Sequence, residues 1–342
     1  MACPSDRTAG ERRPVPGGSA ASGSSPGAAK RANNVAALRI LAAICTNRAP
    51  AEVRPALEPA ARQAAEIPGA SALLVTSGLD DEAHRAHAEA AAVLGARAVA
   101  APTGLSAARN RALEDPGWAD VVAYLDDDAV PAPDWLERLA ARWAEAPPEV
   151  AAIAGRIAAR WEAEPPAWVS DRIATSFSLL DLGEGLVELD PANALEGFGA
   201  NISFRTRPLR AVGGFDSSRG IWGRVSLYGE ESLVQRRLAE RGHRLLYAGD
   251  VRAEHRIAAD RLRLRALWRR EVGRGATAVL DSRETPTGGA GRALKAGGGT
   301  LAALARGDRP LAGERFARLA RAAGAAASPL LLRRMRSRGW PG

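Results

Sequence analysis

From residue 37 onward, short apolar runs alternate with longer stretches in which apolar residues recur at helical spacing. The runs predict strands, because each is only a few residues long and is bounded by polar residues, Gly or Pro. Strands that alternate with helices are typical of a mostly parallel sheet with crossover helices. The first four runs are ALRILAAIC, SALLVT, ARAVAA and VVAYLDD, and helices are predicted between them at residues 50–66, 80–94 and 105–115.

The pattern continues through the second half of the chain. After a helix near residues 133–145, the run VAAIAGRIAA predicts a fifth strand and GFGANISF another. A helix over about 229–241 ends before Gly242, two separate strands are predicted at HRLLYA and VRAEH, and a basic helix follows at about 260–280. The pattern predicts an α/β, Rossmann-like, mostly parallel mixed sheet with helices on both faces. Ligands of such folds usually lie at the carboxyl ends of the strands.

Composition divides the chain into three parts. Residues 1–33 contain almost no large apolar side chain and are predicted to be a disordered tail. Residues 34–285 carry the alternating pattern and are predicted to form one domain. Residues 286–342 are rich in Ala, Gly and Arg and are predicted to be a basic tail, helical or partly disordered.

The formal net charge of +8 comes from the two tails. Beyond residue 286 there are eleven Lys and Arg against two Asp and Glu, and residues 1–33 contain five against two, so the stretch between them is mildly acidic. The tails also contain few aromatic residues for stacking on bases, so nucleic acid is not the expected partner. No apolar stretch is long enough for a signal sequence or a membrane span, which predicts a cytoplasmic location.

The strongest chemical signal is YLDDDAVPAPDWL at residues 124–136, where an apolar strand ends in three aspartates. Adjacent carboxylates repel one another, and burying an unpaired one is costly, so such a cluster indicates a neutralising cation. Hard divalent ions prefer oxygen ligands and commonly bridge carboxylates to substrate phosphates. Asp126 and Asp128 are therefore candidate ligands of Mg²⁺ or Mn²⁺, and a solvated acidic turn is the alternative interpretation.

Two further signals are weaker when each is taken alone. Glu230 and Glu231 begin an amphipathic helix, where a glutamate either complements the helix dipole or serves as a general base. His255 ends a predicted strand, and a single histidine is more often structural than a metal ligand. Polar and cationic side chains, whose guanidinium groups suit phosphate, also follow strand ends; they are Thr46, Asn47, Arg48, Arg109 and Asn110.

In their order along the chain, these segments resemble the family 2 glycosyltransferases, which have the GT-A fold, including bacterial cell-surface and natural-product enzymes. The resemblance covers residues 37–275. It rests on Thr46-Asn47-Arg48, Gly104 with Ala108-Arg109-Asn110, Asp126-Asp127-Asp128 with Trp135, Asn201-Ile202-Ser203-Phe204-Arg205, Gly213-Gly214-Phe215-Asp216, Gly229-Glu230-Glu231 with Leu233, Arg237 and Gly242, and His255.

The resemblance implies a metal-dependent, inverting glycosyltransferase that moves a sugar from a nucleotide-diphospho-sugar donor to an acceptor hydroxyl. It assigns the divalent cation, Mg²⁺ or Mn²⁺, to Asp126, Asp128 and His255, and the base to Glu231 with Glu230 as the second choice. Ser77 stands where the family usually has an acidic residue that contacts the nucleotide base, so the base is left open. The expected nucleotide-binding residues are Thr46, Asn47, Arg48, Ser77, Arg109, Asn110, Asp126 and Asp127.

The acceptor also stays open: a saccharide, a lipid-linked saccharide or a small molecule would each suit the reaction, in cell envelope biogenesis or natural-product glycosylation. One alternative is a sugar-phosphate nucleotidyltransferase, although the first strand is not followed by the Gly-rich phosphate loop of such enzymes. Another is a non-catalytic protein that binds membranes or polyanions. A related hypothesis gives the basic C-terminal tail, with Leu330–Leu332 beside its arginines, a peripheral contact with the inner face of the membrane.

Overall fold

The computed structural model describes residues 38–114, 118–222 and 225–337. The tail predicted at residues 1–33 lies outside the described residues. The strands are β1 (Ile40–Thr46), β2 (Ala70–Ser77), β3 (Arg97–Ala101), β4 (Val121–Asp126), β5 (Ala129–Pro131), β6 (Val150–Trp161), β7 (Leu186–Glu188), β8 (Ile202–Arg205), β9 (Gly220–Trp222), β10 (Val225–Leu227) and β11 (Arg244–Ile257).

A mixed sheet occupies the centre of the described chain, in the order β3-β2-β1-β4-β8-β6-β11-β5, with β7 also paired to β11. Strands β1 to β4 pair with one another in parallel, and β6 and β11 form a second parallel pair. Strand β8 is antiparallel to both β4 and β6 and joins the two parallel parts. Strands β9 and β10 form a separate antiparallel ribbon.

The helices cover the sheet and extend beyond it at the C-terminal end. Helix α2 shows how the sequence sets a boundary, because the Asp80 side chain caps it by accepting a hydrogen bond from the Ala83 amide. The helices are α1 (Pro50–Glu66), α2 (Asp81–Val93), α3 (Leu105–Glu114), α4 (Trp135–Glu145), α5 (Thr206–Ala211), α6 (Glu230–Glu240), α7 (Leu264–Leu280), α8 (Pro286–Ala305) and α9 (Arg309–Arg336).

The predicted α/β class is confirmed, and two element predictions are wrong. The runs HRLLYA and VRAEH form one strand, β11, because the chain stays extended through an irregularity between Ala248 and Arg252. The run GFGANISF becomes a strand only from Ile202, since Gly199–Asn201 forms a 3-10 turn. The short strands β5 and β7 were not predicted, because three residues are too few to show an alternating pattern.

Two buried tryptophans of α4 attach that helix to β8 and the turn before it. Trp135 donates its indole N–H to Asn201 Oδ1 at 2.9 Å, and Trp143 donates to Ser203 Oγ at 2.9 Å. The Asn201 amide in turn donates to the carbonyl oxygens of Arg156 and Val251. Several residues that carry the family resemblance therefore stabilise the junction between the two parallel parts of the sheet.

Helices α7, α8 and α9 pack together at the C-terminal end. Ala317 of α9 joins a buried cluster with Phe177, Ile257 and Leu262, so the residues after 286 contact the rest of the chain. Along the described residues, no helix combines the length and the apolar character that a bilayer span requires. The division into a domain at 34–285 and a tail at 286–342 stays a prediction.

Glu271 is the ionic link between α7 and α9. Its carboxylate is fully buried and accepts from Arg321 Nε at 2.7 Å and from Arg274 Nη1 at 3.3 Å. Burial alone would raise its pKa, but the charges of Arg274 and Arg321 outweigh burial and hold the pKa of Glu271 below its ordinary value of 4.5. The ionised form is therefore favoured in the folded state.

We expect Glu271→Gln to lower the free energy of unfolding by about 1.5–3 kcal/mol at neutral pH, because it removes charge-assisted hydrogen bonds. Glu58→Gln, which breaks an exposed pair with Arg54, should leave the free energy of unfolding close to that of the wild type. The lowered pKa means that the contribution of Glu271 is fully present above pH 4.5 and is lost as the pH falls below it. Urea unfolding at pH 7 and pH 3.5 measures this, and an equal deficit at both values would contradict it.

Candidate active site

The carboxyl ends of β1 and β4 bring Thr46 and Arg48 next to the three aspartates. The two strands are parallel neighbours, with Cys45 opposite Asp126. Thr46 Oγ1 donates to Asp127 Oδ2 at 2.7 Å and accepts from the Arg48 amide at 3.0 Å. Arg48 donates to Asp128 Oδ2 at 2.8 Å and lies 3.3 Å from Asp127 Oδ1. The fold thus gathers the predicted phosphate-binding and acidic residues at one sheet edge.

His255, near the end of β11, reaches the same cluster. Its Nε2 lies 3.1 Å from Asp128 Oδ1, and its Nδ1 lies 2.8 Å from the Phe177 carbonyl oxygen. A carbonyl oxygen only accepts, so Nδ1 must carry the proton that it donates to Phe177. Burial would raise the pKa of Asp128, but His255, Arg48 and Arg261 together hold it well below its usual range.

Arg109 of α3 connects the aspartates to the glutamates at the start of α6. Its guanidinium is almost fully buried; Nη2 donates to Asp126 Oδ1 at 2.9 Å and Nη1 donates to Glu230 Oε1 at 2.6 Å. The same Nη1 lies 3.8 Å from Glu231 Oε2. One cation therefore lies among three carboxylates from two parts of the chain that are more than a hundred residues apart.

The surroundings of Arg109 leave its side chain little freedom. The guanidinium lies over the rings of Tyr124 and Phe215, at 5.9 and 5.5 Å from their centroids. Gly199 lies against the guanidinium, and a Cβ at that position would collide with it. The Arg109 carbonyl also accepts a hydrogen bond from the Tyr124 hydroxyl at 2.8 Å. The bridge between the two acidic groups is thus built into the core.

Glu230 and Glu231 occupy the first turn of α6, which follows Gly229 in the left-handed region with φ of 88°. Burial and the charge of Glu231 raise the pKa of Glu230, and Arg109 only partly offsets them. Among the described residues, the buried Oε2 of Glu231 has no hydrogen-bond partner. A buried carboxylate oxygen without a donor is suited to accept one from a bound molecule.

Other predicted binding residues have different surroundings. Ser77 accepts a hydrogen bond from the Gly104 amide at 2.9 Å, and Asn47 is exposed beside the cluster. Asn110 uses both ends of its amide on the backbone of Phe215, donating to the carbonyl and accepting from the amide, each at 2.8 Å. Its contact with a nucleotide stays a prediction, but its observed bonds position the Gly213-Gly214-Phe215 segment beside Arg109.

The sequence analysis missed two residues near the site. Arg261 Nη1 lies 3.2 Å from His255 Nε2 and 4.0 Å from Asp128 Oδ2, and burial together with the charge of Arg270 lowers the pKa of Arg261 to about 10. Glu196 accepts from Ser232 Oγ at 2.7 Å, and burial raises its pKa. Neither lies in a motif; the only sequence signals were an arginine six residues after His255 and an acid before GFGANISF.

Within the described part of the chain, no three His, Cys, Asp or Glu side chains converge as a preformed metal-ligand set. Asp128 and His255 are in contact, while the nearer neighbour of Asp126 is Arg109. The predicted ligands are therefore in one neighbourhood but are paired with arginines. Their assignment to a metal stays a prediction.

Comparison with known proteins relates the part of the chain that holds the candidate site to glycosyltransferases. The family model described as "Glycosyl transferase family group 2" matches residues 121–274, which include the aspartates, Glu231 and His255. A glucosyl-dolichyl phosphate glucuronosyltransferase of Haloferax volcanii is 30% identical over 48% of this chain and 53% of its own length. A pre-mycofactocin glycosyltransferase of Mycobacterium tuberculosis is 34% identical over 42% of this chain and 28% of its own. The chain thus spans about half, or less, of these relatives.

The solved structure of a Pyrobaculum calidifontis mannosyltransferase, in complex with GDP-Man and Mn²⁺, superposes with a TM-score of 0.51 at 18% identity, over 89% of this chain and 82% of that one. The sheet and this likeness define the chain as a protein of the GT-A fold class. Within that class, the matched region and the two relatives confirm the predicted resemblance to the family 2 glycosyltransferases.

Proposed function

We propose that the chain is an inverting, metal-dependent glycosyltransferase that transfers a sugar from a nucleotide diphosphate donor to an acceptor hydroxyl. The observation that carries this proposal is the Arg109 bridge, which brings Asp126 and the Glu230-Glu231 pair into contact with one side chain. A displacement at a sugar carbon needs charge stabilisation on the leaving side and a base on the attacking side. The two acidic groups supply the residues for both.

Glu231 is the proposed general base. Its Oε2, which has no hydrogen-bond partner among the described residues, takes the proton from the acceptor hydroxyl as that oxygen forms its bond to the anomeric carbon. The bond from this carbon to the donor phosphate breaks on the opposite side, and its electrons leave with the nucleotide diphosphate. Attack opposite the leaving group inverts the anomeric centre. Glu230 accepts the stronger Arg109 contact and positions that arginine.

The residues at the strand ends fit a divalent cation held by Asp126, Asp128 and His255. Histidine ligands commonly donate their second ring nitrogen to a carbonyl, and His255 does so to Phe177, which leaves Nε2, 3.1 Å from Asp128 Oδ1, as the nitrogen that would face a cation. Carboxylate oxygens with one imidazole suit Mn²⁺ or Mg²⁺. When bound, the cation supplies electrostatic stabilisation of the leaving diphosphate.

Two arginines next to Asp128 are the proposed partners of the donor phosphates. The Arg48 side chain is 40% exposed. The Arg261 side chain is mostly buried, and its Nη1 lies 4.0 Å from Asp128 Oδ2. A guanidinium donates in a fork that matches phosphate oxygens. Donor binding would give Arg261 a closer anion than it has in the described structure, which favours a place for it at the diphosphate.

Acceptor and donor are proposed only as classes. The compounds named in the two relatives, glucosyl-dolichyl phosphate and pre-mycofactocin, are different, so the proposal extends to an acceptor hydroxyl and not to its carrier. A saccharide, a lipid-linked saccharide and a small molecule each carry a hydroxyl group that such a base would deprotonate. The nucleotide base is also left open, since Ser77 is bonded to the Gly104 loop and is not an acid.

The metal assignment is tested with GDP-mannose, UDP-glucose and dTDP-glucose, each with and without Mn²⁺, by thermal unfolding. A ligand that binds only the folded state raises the melting temperature, and at 100 times its dissociation constant it contributes about 2.7 kcal/mol. We expect Asp128→Ala to abolish the Mn²⁺-dependent part of the shift. Asp120→Ala, which removes an exposed carboxylate at the other end of β4, should keep it.

A Mn²⁺-dependent shift of wild-type size in Asp128→Ala would contradict the proposed ligand set. Release of nucleotide diphosphate from the stabilising donor is measured in parallel. A nucleotidyltransferase would instead release or consume pyrophosphate, and a non-catalytic binding protein would release neither product.

A further inference from the structure

Helices α7, α8 and α9 surround a cavity of about 340 Å³. Beside the cavity the helices approach closely, because a Cβ at Gly275 would collide with the Arg321 carbonyl oxygen and one at Gly289 with the Ala325 side chain. Protein interiors are close-packed, so a space of this size, within the range of ligand pockets, is a candidate binding site. The uncharged residues that line it are all small: Gly275, Ala278, Ala296, Ala322 and Ala325.

Five cations complete the lining of the cavity, together with a single carboxylate, that of Glu284. Glu314 and Glu271, which pair with two of these cations, are each shared with a further arginine outside the lining. The carboxylates around the cavity therefore leave a surplus of positive charge. Three of the lining arginines have glutamate partners: Arg292 with Glu284, Arg318 with Glu314 and Arg321 with Glu271.

Lys295 of α8 and Arg315 of α9 are the two remaining cations of the lining. Within the residues that the structure describes, no ion pair joins either of them to a carboxylate. A Cβ at Gly299 would collide with Nη1 of Arg315, so the guanidinium lies against α8 at that glycine. Lys295 is one helical turn before Gly299, which places both cations along the same stretch of the cavity wall. Like charges repel each other, and an anion between them would relieve that repulsion.

We propose that this cavity binds the phosphate group of a small molecule between Lys295 and Arg315. A guanidinium donates in a planar fork that suits phosphate oxygens, and an ammonium adds a point charge, so the pair neutralises a phosphate dianion. Among the described residues that line the cavity, none is aromatic, so a nucleobase has no ring on which to stack. The lining therefore selects a compact phosphorylated ligand.

The phosphate is assigned to a soluble molecule because the large apolar side chains of α8 do not line the cavity. Leu294, Leu301 and Leu304 face solvent and are 81, 71 and 56% exposed. Cations that assist membrane binding flank an apolar face at the bilayer surface, whereas Lys295 and Arg315 line a space between helices. The inference is independent of the proposed catalytic function, since no residue of the candidate active site lines the cavity.

The membrane contact predicted from the sequence at Leu330–Leu332 is not part of this site. Only Leu330 of the three is strongly exposed. Leu331 and Leu332 pack against a buried cluster containing Leu227 and Met335. That contact stays a prediction.

Isothermal titration calorimetry of the full chain with inorganic pyrophosphate, in the presence of EDTA, tests the site. EDTA removes divalent ions, so pyrophosphate cannot bind the candidate active site through a metal. We expect the wild type to bind pyrophosphate. Lys295→Gln and Arg315→Gln should each raise the dissociation constant at least about tenfold, because each removes a charge-assisted hydrogen bond. Neither residue has a carboxylate partner, so the melting temperatures of the variants should not fall.

The matched control is Arg306→Gln, which replaces an exposed arginine that follows α8 and does not line the cavity. It should bind pyrophosphate as the wild type does, and so should Arg48→Gln. Wild-type affinity in both Lys295→Gln and Arg315→Gln would overturn the proposal, as would the absence of binding by the wild type. Loss of binding in Arg48→Gln alone would place the pyrophosphate in the candidate active site and would also overturn it.

Co-sedimentation with phosphatidylcholine vesicles, with or without phosphatidic acid, decides the source of the phosphate. We expect no vesicle binding that depends on Lys295 or Arg315. Binding only to vesicles that contain phosphatidic acid, lost in both variants and displaced by pyrophosphate, would keep the phosphate site and overturn its assignment to a soluble molecule.

Discussion

Glu231→Gln should lower kcat by about 10²- to 10⁴-fold while the donor still raises the melting temperature as it does for the wild type. Gln keeps the size of the side chain and its position beside Arg109, but its amide cannot take a proton from the acceptor hydroxyl. Because the substitution leaves Asp126, Asp128 and His255 in place, donor affinity should change little. Turnover with a competent acceptor and donor-dependent thermal shift, measured on the same preparation, separate the two effects.

Glu240→Gln is the matched control, since Glu240 is exposed in the last turn of the same helix. It should retain wild-type turnover. Transfer of sugar at the wild-type rate by Glu231→Gln would refute the choice of base. An inactive Glu230→Gln variant in the same assay would then assign the role of base to Glu230. Glu196→Gln completes the set, because Glu196 also has a buried carboxylate oxygen without a partner among the described residues.

Arg109→Met should produce the largest loss of stability among single substitutions in the site. Removing this cation leaves Asp126 and Glu230 without their closest partner in a buried setting. Removing one member of a buried ion pair typically costs about 3–5 kcal/mol, because the remaining charge is uncompensated. Urea unfolding at neutral pH measures the free energy of unfolding, and activity should be lost as well.

Two controls show whether the loss comes from the bridge. Arg54→Met breaks an exposed pair with Glu58 and should leave the free energy of unfolding close to that of the wild type. Adding Glu230→Gln to Arg109→Met removes one uncompensated carboxylate and should restore part of the lost stability, since contacting residues are energetically coupled. A cost below about 1 kcal/mol for Arg109→Met would show that the three carboxylates do not depend on it.

The sequence identified most residues of the candidate site but not which of them contact one another. The Asp126–Asp128 cluster was visible because an apolar strand led directly into consecutive carboxylates. Glu231 was found only through the resemblance, since a glutamate in a first helical turn is common. Arg109 was predicted to meet a nucleotide, yet the structure shows it bonded to Asp126 and Glu230. Arginine is so frequent in this chain that no local pattern could have distinguished this one.

Long helices and strands were predicted more accurately than short ones, because they contain more repeats of the hydrophobic pattern. Helix α1 was predicted with its observed bounds, because seventeen residues carry several turns of pattern. Two strands were predicted on either side of Gly249 and Asp250, but pairing with β6 resumes after the irregularity. Local polarity indicates where a strand is exposed, whereas its continuity depends on a neighbouring strand that is distant in sequence.

By itself the sequence determined the α/β class, the order of the main strands and helices, and the residue types able to bind a metal and accept a proton, since hydrophobic periodicity and side-chain chemistry are local properties. Only the tertiary structure decided that Arg109 joins the two acidic groups, that Arg261 lies beside His255, and that the leucines of α8 face solvent. These are contacts and exposures between segments far apart along the chain. They depend on which surfaces the packed helices and sheet bury, and no stretch of sequence contains that information alone.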